Sequence, residues 1–145
     1  MRPRFHFVVG RRLLCSAPRK MPGESALHSY PTAALMQSPP TLEPQGIHKL
    51  WVKGKDSGSP QVSTKVFEPG NTLGAGLWEC TPGSWSITRD TTETFLVLQG
   101  KALLTEADGS LRVELRPGVW HTTPSGWTGS WSVEETVRKM FVLSP

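Results

Sequence analysis

The stretch TFLVLQGKALLTEADGSLRVEL, residues 94–115, decides the fold. Two β-rich runs, Thr94–Gln99 and Lys101–Glu106, flank Gly100, and Ala107-Asp108-Gly109-Ser110 joins the second run to Leu111–Leu115. That last run alternates cleanly, with Leu111, Val113 and Leu115 on one side and Arg112 and Glu114 on the other. A period of two is the signature of a strand with one face buried. The Asp108-Gly109 step suits a tight hairpin, because both residues take positive φ at low cost. The same texture continues outward in both directions. Upstream, Val62–Glu68 ends at Pro69-Gly70, Gly76–Cys80 ends at Pro82-Gly83, and Trp85–Thr88 follows. Downstream, the turn Arg116-Pro117-Gly118 leads to Val119–Thr123, Trp127–Ser132 and Thr136–Leu143. Short strands with turn signals about every ten residues predict an all-β sandwich or barrel over residues 61–145, not an α/β domain.

The rest of the chain reads differently. Residues 1–40 hold six Lys or Arg against one Glu, six prolines and no steady hydrophobic period. Such a composition is expected of an organelle transit peptide, mitochondrial or plastid, or of a disordered tail on a cytoplasmic protein. A start site at Met21 or Met36 is a further alternative. Residues 41–60 read as a linker or edge segment, with Ile47–Val52 as a short edge strand or one helical turn and 55–60 as a loop. Ten basic and eleven acidic residues share positions 41–145, so the net charge of +4 comes from the leader. A nucleic-acid surface would put its basic residues on the folded part, so no nucleic-acid partner is expected. No apolar run is long enough to span a bilayer as a helix, and a soluble chain with no membrane partner is expected. Cys15 and Cys80 fall one in each half, which points to a reducing compartment.

Two segments then carry a resemblance. ETFLVLQG, residues 93–100, places a glycine seven positions after a glutamate, and GVWHTTPSG, residues 118–126, spaces Gly, Pro and Gly as on a neighbouring hairpin. In this order they resemble the two motifs of the cupins. More narrowly, GLWECTPGSW (76–85), PSGWTGSW (124–131) and ETVRK (135–139) resemble small single-domain cupins. These are the cupins grouped with the cupin domain of (S)-ureidoglycine aminohydrolase and with the ethanolamine-utilisation cupins. The resemblance spans roughly Val66 to Leu143. It implies a double-stranded β-helix, a jelly-roll barrel with a pocket between two sheets, and a homodimer as partner.

The metal-binding pattern of such barrels is broken here. Where the resemblance places ligand histidines, this chain has Ile87, Arg89 and Gly129, and only Glu93 stands at a matching ligand position. None of the three replacements is a good donor to Mn, Fe or Zn. A divalent metal therefore remains open as a cofactor, with none as the alternative. His121 shares strand parity with Val119 and Thr123, and if that parity faces the pocket it can act with Glu93 as an acid–base pair. Arg89 is expected to bind a substrate carboxylate or to pair with Glu93. A carboxylate inside an apolar barrel is costly without a purpose, which singles out Glu93. Trp78, Trp127 and Trp131 are expected as an aromatic wall for a small ligand, or simply as barrel filling, with Trp127 and Trp131 on one face. Glu134, Glu135, Arg138 and Lys139 read as solvated strand-end charges, and Cys80 as a buried small hydrophobe.

The expected function is binding of a small organic molecule in the barrel, with any catalysis resting on Glu93 and His121. The first alternative, implied by the resemblance, is a metal-dependent hydrolase or lyase acting on small amine or ureido compounds. A non-catalytic cupin that only dimerises is the second.

Overall fold

The computed structural model describes residues 41–67 and 74–145. The expectations for the leader and for the turn at Pro69-Gly70 lie outside the described residues. Among the described residues eight strands form, in the order β1 (Glu43–Ile47), β2 (Gln61–Phe67), β3 (Ala75–Cys80), β4 (Gly83–Thr88), β5 (Thr92–Glu106), β6 (Arg112–Leu115), β7 (Trp120–Thr123) and β8 (Thr128–Ser144). Every strand pairing is antiparallel. The described residues contain no α-helix and form an all-β jelly roll.

The two long strands make the architecture. The first half of β5 pairs with β7 and with the second half of β8, which continues through β3 and β2 to β1. The second half of β5 pairs with β6 and with the first half of β8, which continues to β4. The sequence reading broke each of these strands in two, at Gly100 and near Glu134. Both run on, because Gly100 adopts φ 82° and the β5–β8 register slips around it. A bulge of this kind bends a strand without ending it. A β-carbon on Gly100 would run into the Thr136 carbonyl, so the bend requires glycine twice over, for conformation and for space.

Inside the barrel, Trp85, Phe95, Val97, Leu104, Leu115, Trp131, Val133 and Val137 form the main core. Alternation puts Leu77, Leu96 and Met140 on the opposite face of the first sheet. There Leu77 and Leu98 form a second buried cluster with Leu42 and Phe67. The β5–β6 turn closes through Gly109 N–H to Glu106 O at 2.9 Å, with Gly109 at φ 74°. On the side shared by Leu111, Val113 and Leu115 burial deepens from exposed Leu111, just before β6, to fully buried Leu115.

The edge segment is tied to the barrel. Its strand is Glu43–Ile47, earlier than the strand expected over Ile47–Val52, and residues 48–51 make a single turn, nearer the other alternative, with Trp51 N–H on His48 O. The loop that follows holds itself together: Val52 N–H donates to Asp56 Oδ2 at 2.7 Å, and Trp51 Nε1–H donates to Ser57 O at 3.2 Å. Ser57 then bonds β4 through its hydroxyl to that of Ser84, 2.7 Å, and through its carbonyl to Ser84 N–H, 3.0 Å. These contacts deliver His48 onto the barrel.

Candidate functional site

At the centre of the barrel, β5 and β8 face each other through Glu93 and Lys139. Lys139 Nζ donates to both carboxylate oxygens of Glu93 at 2.9 Å, and both residues are buried. Arg89, from the β4–β5 turn, pairs with the same carboxylate through Oε2. The ammonium also sits over three rings, 4.7 Å from the centre of Trp78, 4.4 Å from Phe95 and 4.6 Å from Trp131. Ring faces carry partial negative charge and hold a cation that water no longer solvates. Burial pushes the Lys139 ammonium below its usual range, while the Glu93 charge and hydrogen bond oppose that shift.

Above this cluster lies a cavity of about 60 Å³ lined by His48, Trp85, Arg89, Glu93, Trp131 and Lys139, among others. His48 forms part of its wall and stacks on Trp85, ring centres 4.0 Å apart. Burial, aided by the nearby Lys139 charge, pushes the His48 imidazole down to about 4, so it is neutral at neutral pH. Two buried donors on the cavity's lining residues, Trp85 Nε1 and Arg89 Nε, have neither a hydrogen-bond nor an ion-pair partner among the described residues. Two cations, one anion and two unpartnered N–H groups make a small, donor-rich, net positive chamber. Such an arrangement can hold an acceptor with negative charge.

A second cavity, about 250 Å³, opens between β5, β6, β7 and the turn after β7. His121 and Trp127 line this one and not the central one. The residues picked out from the sequence are thus divided between two places. Arg89, Glu93, Trp78 and Trp131 meet at the centre, while His121 and Trp127 meet at the second cavity. The condition set on its parity is met, since His121 faces inward, but it is not hydrogen-bonded to Glu93. Its contact with the cluster runs through Phe95, whose ring centre is 5.4 Å from its own. Trp127 and Trp131 do not form one wall. Trp127 precedes β8, and its ring lies against Gly129, where a β-carbon would collide with it.

Lys139 requires the clearest correction. The sequence pattern reads it as a solvated strand-end charge, yet only 4% of it is exposed. Alternation along β8 carried the signal: Val137, Lys139 and Phe141 share the inward parity, so the lysine belongs with the core residues. Its neighbour Arg138 points to the other face and pairs with Glu79. His48 was missed because a histidine in a linker gives no periodic signal. Cys80 is fully buried, and its thiol is pushed up to about 12 by burial, which leaves it inert.

A divalent metal does not fit this donor set. Among the described residues no group of three or more His, Cys, Asp or Glu converges on a point. The one matching ligand, Glu93, already gives both oxygens to Lys139, and a dication would have to displace an ammonium beside a guanidinium.

Known proteins agree with the architecture. The chain is similar to EutQ from Clostridium difficile at 24% identity, over 60% of this chain and 70% of that one, with a TM-score of 0.53. A putative ethanolamine utilization protein Q from Salmonella typhimurium is similar at 20% identity, over 61% and 71%, with a TM-score of 0.52. A protein of unknown function from Pseudomonas syringae pv. tomato matches at 22% identity and a TM-score of 0.62, over 72% of this chain and 45% of that one. At such identities these likenesses speak to the fold. No curated protein is significantly similar to the chain. The family model of the EutQ-like cupin domain matches residues 67–141, just over half of the 145 residues. The chain belongs to the family of EutQ-like cupin domains.

Proposed function

We propose that this cupin binds a small anion, a carboxylate of one or two carbons, in the central chamber without a metal. The observation that carries the reading is the charge count around Glu93. Arg89 and Lys139 both spend their charge on that single carboxylate, leaving one positive charge in excess in a buried space. A carboxylate there would neutralise the excess and accept from the idle Trp85 Nε1–H and Arg89 Nε–H. The chamber's volume of about 60 Å³ restricts the guest to very small molecules. Neutral His48 would close over the bound anion, excluding water and strengthening each contact.

The test compares formate with formamide, which has the same shape and no charge. Tryptophan emission of the full chain is followed during each titration, since Trp78, Trp85 and Trp131 line the chamber. Formate should give a saturable change that formamide does not, and Lys139→Met should weaken formate binding about tenfold or more. Equal responses to both compounds, or no saturable response to formate, would refute the reading.

A further inference from the structure

We infer that the second cavity is a separate binding site for a flat, uncharged aromatic molecule bearing a hydrogen-bond donor, such as a phenol. Leu104, Val113 and Pro124 supply apolar walls, Trp127 supplies a ring, and Leu111 stands exposed at the mouth. At about 250 Å³ it exceeds the roughly 150 Å³ that suffices for benzene in an apolar protein cavity. Its lining is mainly apolar, in contrast to the charged centre.

The polar groups of the cavity decide the ligand class. His121 is half-buried on its wall, and neither ring nitrogen has a hydrogen-bond partner among the described residues. Burial and the Lys139 charge hold this imidazole below its usual range, with Glu93 opposing, so at neutral pH it offers one acceptor nitrogen. An O–H or N–H on the ligand ring would satisfy it. Glu106 also lines the cavity, and its carboxylate has no ion pair among the described residues, which repels anions. Thr122 and Thr123 add no free donor of consequence, because each hydroxyl is engaged, with Thr94 and with the Glu93 carbonyl.

Gly129 explains how the site arises. It stands where the cupin resemblance implies a metal-binding histidine, and it leaves room for the Trp127 ring to lie against the backbone. The space that a ligand side chain would fill instead seats a flat indole. Stacking on that indole favours planar guests over branched ones of equal volume.

The experiment titrates the full chain with phenol and with anisole, its methyl ether, following the Trp127 indole N–H and the His121 ring protons by NMR. Phenol should bind saturably and about fivefold more tightly than anisole, the worth of one neutral hydrogen bond. Val113→Phe, which fills the cavity, should abolish binding of both. His121→Phe should keep ring binding and bring the two ligands to equal affinity. Absence of saturable phenol binding, binding that survives Val113→Phe, or a phenol preference that survives His121→Phe would overturn the inference. Should Val113→Phe not fold, the phenol-to-anisole ratio in His121→Phe decides by itself.

Discussion

Around Glu93, one carboxylate holds two cations, and the residues of this cluster are not equivalent. Removing Lys139 leaves a neutral Arg89–Glu93 pair; removing the Glu93 charge leaves two cations facing each other. Glu93→Gln should therefore cost about 3–5 kcal/mol, the usual penalty for uncovering buried charge. Lys139→Met puts a flexible apolar chain among Trp78, Phe95 and Trp131, and should stay within about 2 kcal/mol of the parent. Urea unfolding of the two variants measures both, and the opposite order would show that the charge count is wrong. Glu93 and Arg89 could be read from the sequence because they sit at fixed distances from motif glycines. Lys139 could not, because charge outweighs parity when a short segment is read alone. His48 could not either, since a loop carries no period to locate it.

Among elements, the bend in β5 is the feature most open to test. Gly100 and Gly109 have similar positive φ, 82° and 74°, but only Gly100 is crowded by backbone. Gly109→Ala should cost about 1–2 kcal/mol, the conformational penalty alone. Gly100→Ala should exceed it, because the Thr136 carbonyl must also move. Equal losses on urea unfolding would mean that the bend is not held as described. Strand existence is legible across the described part of residues 61–145, since alternation and turn residues are local signals. Strand continuity is not. A glycine that bulges and a glycine that turns look alike until the partner strand is present.

For the molecule as a whole, pH is the simplest lever. His48 titrates at about 4 in the folded chain against 6.5 when unfolded. A histidine with a depressed folded value binds protons better unfolded, so its stabilising share is complete above pH 6.5 and is lost as pH falls toward 4. His121 shifts in the same direction. Thermal unfolding should drop by roughly 5 °C or more between pH 7 and pH 4.5. His48→Phe, which keeps a ring stacked on Trp85, should flatten that dependence, and an unchanged slope would remove His48 as its source.

The sharing of β5 and β8 between both sheets has a further consequence. Neither sheet owns a complete set of strands, so neither can open while the other stays intact. Unfolding is then all-or-none, and the central cluster lies on the two strands whose separation is that event. Anything that grips Glu93 and Lys139 together acts as a clasp on the entire barrel. Occupancy of so small a chamber would thus be felt as resistance to proteolysis in loops far from it.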